Sequence, residues 1–227
     1  GFLMNVKMIS YSQAPDANAS ESALDLVAYC ARVSNPSNQN NTETNEKLVK
    51  YLMKHKHWSP LEMVSLCLEV ETTRDIARQI LRHRSFSFQE FSQRYADPTA
   101  DLNFEIREAR LQDTKNRQNS IPIDITDDNQ RRIAEDWRMK QMEYIRQSQK
   151  LYTWAIENGI AKEQARAVLP EGNTLSRMYI NGTLRSWVHF IELRSGNGTQ
   201  AEHMDIAKAV AQCISEVFPM AGDFVSE

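Results

Sequence analysis

The sequence predicts a mixed α/β (α+β) fold in one domain, with helices dominating the C-terminal half. The first observation is length, because 227 residues without a linker rich in Pro, Gly or Ser fit a single domain. The second is residues 63–71, where apolar and polar side chains alternate as in a half-buried strand. The third is a series of segments with apolar residues at helical spacing, the longest covering 130–158. Strands and helices are therefore expected to share one core.

A short strand and two helices are expected before the alternating strand. Residues 6–10 fit the first strand. A helix follows up to Val33, with Ser20 or Ser22 as its N-cap, because a hydroxyl there accepts a hydrogen bond from a free backbone N–H. A second helix covers 44–54, where apolar residues form a stripe.

The alternating strand leads into a third helix, for which Thr72 or Thr73 offers an N-cap. Arg74, Arg78 and Arg82 are four residues apart and therefore share one face of that helix. The strand and helix thus form a rigid support for the residues that follow them.

Residues 97–129 are predominantly polar and show little periodicity, so an extended excursion is expected there. Both a lid over a site and a solvated insertion without a role fit this pattern. Helices are predicted after it at 130–158, 160–168, 174–193 and 201–218. We interpret the longest as core scaffold whose aromatic side chains serve packing.

The densest polar chemistry lies in residues 82–95, where three arginines, a histidine, a glutamate and three serines alternate with aromatic rings. Arginine suits phosphate because its planar guanidinium donates paired hydrogen bonds. A solvated helix end is the simpler interpretation, but interleaved rings indicate buried apolar surface, as in a ligand site. With Arg78, Arg166, Arg185 and Arg194, the chain has more guanidinium groups than one nucleotide needs. This surplus indicates two anionic ligands or a site shared between subunits.

Composition excludes several classes of protein. The formal net charge of −3 argues against a binder of duplex nucleic acid, which needs a broad basic face. No apolar run is long enough to span a bilayer and no secretory signal pattern is present, so a cytoplasmic protein is expected. Cys30, Cys67 and Cys213 are far apart, which suggests buried small side chains rather than disulfides or zinc ligands. His55 and His57 would not share a helix face, so no metal site is predicted.

The usual catalytic and phosphate-binding motifs are not apparent. There is neither a Cys-His nor a Ser-His-Asp arrangement, and no glycine-rich phosphate loop. Phosphate would have to be bound by side chains. The residues alone therefore indicate a binder of phosphorylated, ring-bearing small molecules.

The arginine-rich stretch resembles the signature of a known family. Arg82-His83-Arg84, followed after seven residues by Ser92, is similar to the Arg-His-Arg-x7-Ser signature of the flavin-dependent thymidylate synthases. Further matches occur in the same order at 31–34, 57–62, 165–170 and 193–194. The resemblance covers nearly the whole chain.

The resemblance implies one flavin-dependent thymidylate synthase domain over 1–227, built on a central, mostly antiparallel sheet flanked by helices. It implies a homotetramer with active sites where subunits meet, and no nucleic-acid or membrane partner. It also implies FAD as cofactor, NADPH as reductant and methylenetetrahydrofolate as one-carbon donor for conversion of dUMP to dTMP. Hydride would pass through the flavin, tetrahydrofolate would be released, and no cysteine nucleophile would be needed.

The same resemblance assigns residues to the two ligands. Those matching dUMP contacts are Gln79, Arg82, Glu90, Ser92, Gln93, Arg94, Arg166 and Arg194. Arg194 and Ser92 are the catalytic candidates: Arg194 would favour ionisation of the uracil ring, and Ser92 would donate a hydrogen bond to substrate rather than act as nucleophile. Those matching FAD contacts are Ser59, Arg82, His83, Arg84, Glu90, Thr183, Arg185 and His189. Many members have Asn where this chain has Gln89, Thr183 and His189.

Two other functions stay open on the sequence. A nucleotide-binding protein without turnover would keep the arginine pocket. A nucleic-acid binder would use the basic stretch for a polymer, which the net charge disfavours.

Overall fold

A computed structural model describes residues 5–15 and 22–226 of the chain. The strands in this part are β1 (Asn5–Tyr11), β2 (Ser65–Thr73), β3 (Ser87–Glu90), β4 (Arg110–Gln112), β5 (Ser120–Pro122) and β6 (Leu175–Thr183). One sheet has the order β1, β2, β6, β3 with every neighbouring pair antiparallel, and β4 pairs with β5 as a separate hairpin. The helices are α1 (Ala23–Ala31), α2 (Asn45–Lys54), α3 (Arg74–Ile80), α4 (Pro98–Asp101), α5 (Asp128–Glu157), α6 (Lys162–Ala165), α7 (Leu184–Arg194) and α8 (Ala201–Ile214). The predicted mixed α/β fold with a helix-rich C-terminal half is confirmed.

The sheet centres on two strand–helix units. β2 runs into α3 and β6 runs into α7, and the two strands pair over their full lengths, from Ser65 with Thr183 to Thr73 with Leu175. Because the strands are antiparallel, the two helices start at opposite ends of the pair. The helices nevertheless meet at their C-terminal ends, where the candidate site lies.

The predicted helix at 174–193 is wrong in its first half, because residues 175–183 form strand β6. Met178 and Ile180 point into the core, whereas Tyr179 between them is exposed. The alternation of buried and exposed side chains is visible in the sequence. The stronger helical spacing of residues 184–191 nevertheless favours a helix over the whole segment.

Predicted caps and helix ends are mostly confirmed. Ser22 caps α1 by accepting a hydrogen bond from the Asp25 backbone N–H at 3.2 Å, whereas Ser20 lies outside the described residues. Thr73 occupies the N-cap position of α3, where its hydroxyl donates to Asp75 Oδ1 at 2.6 Å. The last helix ends at Ile214 instead of 218, and Pro219 begins a separate 3-10 helix.

The main core lies between the sheet and helices α1, α2, α7 and α8. Leu66 and Leu68 of β2 pack there with Trp187 of α7, and all three are essentially inaccessible to solvent. The Trp187 indole N–H donates to the Leu66 carbonyl at 3.1 Å, which satisfies the polar atom of the largest buried side chain. The three cysteines are free thiols that are half-buried, not buried as predicted. No helix in the described ranges combines the length and apolarity needed to cross a membrane.

Helix α5 is a single helix of 30 residues, as its spacing predicts, but its interpretation as core scaffold is wrong. Tyr152 and Ala155 are buried near its C-terminal end, in a small cluster with Ala165 and Leu169. Most of its other large apolar side chains are exposed, namely Ile133, Trp137, Met139, Tyr144, Leu151 and Trp154, at 44% to 55%. The helix therefore presents an apolar surface that the single chain leaves uncovered.

The excursion at 97–129 contains helix α4 and the β4–β5 hairpin. Arg107 fixes its middle, donating to Asp75 at 2.9 Å and to the Gly172 carbonyl at 3.1 Å. The Gln141 side chain of α5 accepts from the Arg107 backbone N–H at 2.8 Å and donates to the Arg107 carbonyl at 2.9 Å. The excursion is thus tied to the start of α3 and to α5.

Candidate active site

The signature residues follow α3 as a turn and then form edge strand β3. Arg82 and Arg84 are exposed, and their side chains make no hydrogen bond or ion pair with any residue in the described ranges. Phe86 between the turn and β3 is buried against the Trp187 ring, with ring centroids 4.5 Å apart. A buried ring therefore anchors the turn while two guanidinium groups remain available to anions.

The C-terminal ends of α3 and α7 meet through Arg194. Its Nε donates to His83 Nε2 at 2.8 Å, and its Nη2 lies 3.5 Å from the Gln79 carbonyl oxygen. The last turn of a helix carries partial negative charge, which favours a cation such as Arg194 there. Arg194, a predicted dUMP residue, thus contacts the predicted dUMP residue Gln79 and the predicted flavin residue His83, although 111 or more positions separate it from each.

The contact with Arg194 fixes the state of His83. Because Arg194 donates to Nε2, that nitrogen must be unprotonated and the ring proton lies on Nδ1. Burial, and then the charge of Arg194, lowers the pKa of His83 from 6.5 to about 4. Burial and the neighbouring Arg82 lower the pKa of Arg194, which remains charged at neutral pH because guanidinium holds its proton strongly. A neutral imidazole therefore lies beside a desolvated cation.

A second polar cluster surrounds Glu90 of β3. Its carboxylate accepts from the Ser176 hydroxyl at 3.2 Å and pairs with the buried Arg74 at 3.4 Å. Glu171 pairs with Arg74 at 3.1 Å and with Arg78 at 2.9 Å, so these two arginines share a face of α3 as predicted. Burial would raise the pKa of Glu171, but the hydrogen bonds from Arg78 and Arg74 lower it overall. Arg74 therefore holds the start of α3 to both Glu90 and Glu171.

A third cluster joins two more of the predicted dUMP residues. Arg94 pairs with the Glu163 carboxylate at 3.1 Å, and Arg166 donates to the Glu163 carbonyl at 3.2 Å. Gln93 is buried, and its side-chain nitrogen has no hydrogen-bond partner in the part of the chain that the structure describes. Ser92 is half-buried with its hydroxyl likewise unpaired within these ranges.

The predicted flavin residues other than the signature lie near the start of α7. Thr183 is the N-cap of that helix and accepts from the Ser186 backbone N–H at 3.2 Å. Arg185 pairs with Glu62 at 2.9 Å, and its carbonyl accepts from His189 Nδ1 at 2.8 Å. The His189 ring also contacts the Trp58 ring, with centroids 4.8 Å apart. Ser59, at the start of the Ser59–Met63 3-10 helix, is exposed.

The single chain does not gather all of these residues in one cavity. Arg185 and Arg194 are at opposite ends of α7, roughly 14 Å apart along its axis at 1.5 Å per residue. Two cavities, of about 1060 and 620 Å³, lie instead between the 105–120 region and α5, and the second is also lined by residues 199–202 and Met204. The signature residues line neither cavity, and the side chains of Arg82 and Arg84 are exposed on this chain.

Sequence reasoning missed three residues in this region. Glu171 bridges Arg74 and Arg78, and the Gln200 side chain accepts from the Gln79 amide at 3.0 Å. His203 of α8 is inaccessible to solvent, and its Nδ1 lies 3.0 Å from Gln79 Oε1. The available signal was that His203 falls in line with the buried Ile206 and other apolar residues of α8 at helical spacing.

Acid is expected to destabilise the ligand-free protein, because two histidines resist protonation in the folded state. Burial, followed by Arg194 and His83, lowers the pKa of His203 from 6.5 to about 3. Between pH 6.5 and about 4 the unfolded chain therefore binds more protons at His83 and His203 than the folded chain, so stability falls as the pH falls through this window. Each histidine can contribute up to about 1.4 kcal/mol per pH unit.

Urea unfolding on both sides of pH 6.5 measures this dependence. His83→Phe is expected to be less sensitive to acid than the wild type across the window, because it removes one of the two groups. His55→Phe is the control, since His55 is exposed at the end of α2. Equal acid sensitivity of His83→Phe and wild type would contradict the assignment.

Comparison with known proteins gives one family. Residues 17–220 match the model of the family described as "Thymidylate synthase complementing protein". A relative named probable flavin-dependent thymidylate synthase, from Paramecium bursaria Chlorella virus 1, is 47% identical over 216 residues, covering 95% of this chain and 96% of the relative. The flavin-dependent thymidylate synthase of Synechocystis sp. is 46% identical over 86% of this chain and 85% of the relative.

A solved structure has the same fold. The UMP/dUMP methylase PolB from Streptomyces cacaoi, bound with 5-Br dUMP, superposes with a TM-score of 0.74 at 25% identity, over 99% of this chain and 95% of that chain. The family model thus covers most of the chain, and the two relatives share nearly half of their residues with it. By sequence and by fold, the chain belongs to the family of flavin-dependent thymidylate synthases that its arginine signature resembles.

Proposed function

We propose that this chain is an FAD-dependent thymidylate synthase that converts dUMP to dTMP, with methylenetetrahydrofolate as one-carbon donor and NADPH as reductant. The observation that carries the proposal is the contact of Arg194 with neutral His83, beside the unpaired guanidinium groups of Arg82 and Arg84. These groups give one surface both a strong anion-binding capacity and a fixed cation. We assign these residues to a single flavin-dependent thymidylate synthase domain that covers residues 1–227.

On the nucleotide side, the arginines would bind phosphate and Arg194 would act on the base. The Arg82 side chain makes no hydrogen bond or ion pair within residues 5–15 and 22–226, and Arg94 pairs with the Glu163 carboxylate, which a nucleotide phosphate can replace. Arg166 donates to the main-chain carbonyl of the same Glu163, which places it near Arg94. A desolvated guanidinium stabilises negative charge as uracil loses a proton, because it is in place before the charge develops. Ser92, Gln93 and Glu90 would supply hydrogen bonds that orient the nucleotide, and the unpaired nitrogen of buried Gln93 supports this role.

On the cofactor side, the residues present fit FAD. Arg84 and Arg185 are cations suited to its diphosphate, and the Trp58 and His189 rings offer flat surface beside Ser59. When bound, FAD would carry hydride from NADPH, so that tetrahydrofolate leaves instead of dihydrofolate. Neutral His83 would face the flavin without adding charge. The Thr183 hydroxyl accepts from the Ser186 backbone N–H and donates to the Ser186 hydroxyl oxygen at 3.3 Å, and it would turn that donor to the cofactor.

We further propose a homotetramer whose active sites form between subunits. Ile133, Trp137, Tyr144, Leu151 and Trp154 form an exposed stripe along α5, with a spacing of three to seven residues that keeps them on one face. Burying this stripe in another copy removes apolar surface from water, and a second subunit would close the open signature surface. A cytoplasmic setting is supported by three free thiols, which suit a reducing compartment.

The decisive experiment follows cofactor, label and mass in one preparation. Purified protein is expected to be yellow and to oxidise NADPH in the presence of dUMP. It should transfer isotope from the folate methylene group to the pyrimidine. Its molar mass, measured by light scattering, should be that of four chains. A colourless protein that takes up no added FAD overturns the function. Binding of dUMP without label transfer would identify a non-catalytic nucleotide-binding protein. Tight, salt-dependent binding of oligonucleotides without binding of dUMP would identify a nucleic-acid binder.

A further inference from the structure

His203 lies at the start of α8, away from the signature stretch in sequence but against it in space. Its ring is inaccessible to solvent, 5.7 Å from the Phe190 ring and 6.5 Å from the His83 ring, measured between centroids. Nothing in the arginine chemistry described above uses it. Among the residues that the structure describes, the His203 ring makes one polar contact, in which its Nδ1 is 3.0 Å from the Gln79 amide oxygen.

The first turn of α8 holds both ends of the Gln79 amide. Gln79 Oε1 faces His203 Nδ1, while Gln79 Nε2 donates to Gln200 Oε1 at 3.0 Å. The His203 backbone N–H donates to the Gln200 carbonyl at 3.0 Å, so the two clamping side chains belong to the same turn. Arg194 approaches the Gln79 carbonyl at 3.5 Å from the other side. Gln79 is thus held through both its side chain and its backbone.

The clamp fixes the tautomer of His203. An amide oxygen only accepts hydrogen bonds, so the proton of the neutral ring is on Nδ1 and Nε2 is a bare acceptor. Within residues 5–15 and 22–226, His203 Nε2 is buried and has no hydrogen-bond partner. Leaving a buried nitrogen unpartnered costs free energy that an apolar ring of similar shape would not. Packing against Phe190 alone would therefore favour phenylalanine at this position.

We propose that His203 is a positioning residue for the nucleotide: its Nδ1–H, together with Gln200, orients the Gln79 amide so that the remaining amide N–H faces an acceptor on dUMP. This inference rests on the proposed function, because it gives the assigned dUMP contact at Gln79 its orientation. His203 itself does not touch substrate. A histidine suits this buried position because its hydrogen bond to Gln79 offsets the cost of Nε2, which has no partner in the described part of the chain.

The test compares dUMP binding and turnover in FAD-loaded variants. His203→Phe is expected to raise the Kd for dUMP about tenfold, which corresponds to about 1.4 kcal/mol, with unchanged FAD content. His203→Asn places an amide N–H near the position of Nδ1 and is expected to restore most of that affinity. In a Gln79→Ala background, His203→Phe should add little further loss, because the effect passes through Gln79. Unchanged affinity of His203→Phe, or additive losses in the double variant, overturns the proposal.

A second measurement observes the wild-type holoenzyme and uses a variant only to assign the His203 signals. Nitrogen NMR of histidine-labelled protein is expected to show the His203 signals, identified by their absence from His203→Asn, as those of an Nδ1–H tautomer that shift when dUMP is added. An Nε2–H tautomer, or signals insensitive to dUMP, overturns the positioning role. If wild-type protein neither binds nor methylates dUMP, the proposed function itself fails. If it does both while the His203 variants behave as wild type, only this inference fails.

Discussion

Replacing Arg194 with Ala is expected to lower kcat by about 10²–10³-fold while FAD stays bound. The guanidinium lies half-buried at the end of α7, fixed by its 2.8 Å hydrogen bond to His83. A cation fixed in this way before the reaction stabilises negative charge on the uracil ring without reorganisation, and water replacing it would be a weaker and mobile dipole. Formation of dTMP from labelled folate gives kcat, and the visible spectrum of the purified variant reports FAD.

Two controls separate this role from a general loss of charge. Arg194→Lys keeps a positive charge but loses the planar fork, so it is expected to recover only part of the rate. Lys208→Ala removes an exposed cation from α8 and should leave kcat unchanged. Near-wild-type turnover by Arg194→Ala would show that the residue does not act on the base.

The second large effect is expected at Gly182, where an added methyl group has no room. A Cβ built on Gly182 of β6 would lie 2.4 Å from Phe86 Cδ1 and 2.6 Å from Phe86 Cε1, well inside contact distance. The Phe86 ring cannot move aside freely, because it is buried against Trp187 and Phe190. Gly182→Ala should therefore lower the free energy of unfolding by about 2 kcal/mol, as overpacking of a core does.

The same substitution should weaken FAD retention, because Phe86 follows Arg84 by two residues and anchors that turn. Urea unfolding gives the stability, and the ratio of flavin to protein absorbance gives the cofactor content. Gly222→Ala is the matched control, since no atom lies within 4 Å of its added Cβ. That control should change the unfolding free energy by less than about 0.5 kcal/mol. Equal stability of the two variants would mean that Phe86 is not held as described.

Local patterns in the sequence were sufficient for the elements with a clear period. Strand β2 was predicted from its alternation because one of its faces is fully buried and carries apolar side chains, whereas Ser65, Cys67 and Glu71 on the other are only half-buried. Strand β6 carries the same alternation at Met178 and Ile180, but it continues without a break into an amphipathic helix, and the stronger helical pattern masked it. The length of α5 was predicted, whereas its exposure was not, because an apolar stripe looks the same whether its own chain or another chain covers it.

Only those residues of the candidate site that belong to a recognisable motif were predicted from the sequence. The arginines at 82, 84 and 194 were identified from residue type and from resemblance to a family. Two residues that hold helix α3 come from segments without a motif: Glu171 pairs with Arg74 and Arg78, and His203 contacts Gln79. Only the folded chain brings these partners close. Single polar residues on an apolar stripe of a helix carry no local signal that separates a packing role from a functional one.

The central pairing of β2 with β6 also sets the order in which the chain can assemble. The paired residues are more than 100 positions apart in sequence. The two ends of the intervening chain must therefore come together before the hydrogen bonds between β2 and β6 can form. During synthesis, β2 has no β6 to pair with until residues past 183 have left the ribosome. Its unpaired edge can form non-native strand pairs during that time. Since Arg194 reaches His83 only after this closure, recovery of dUMP binding in refolding experiments should be one of the last events.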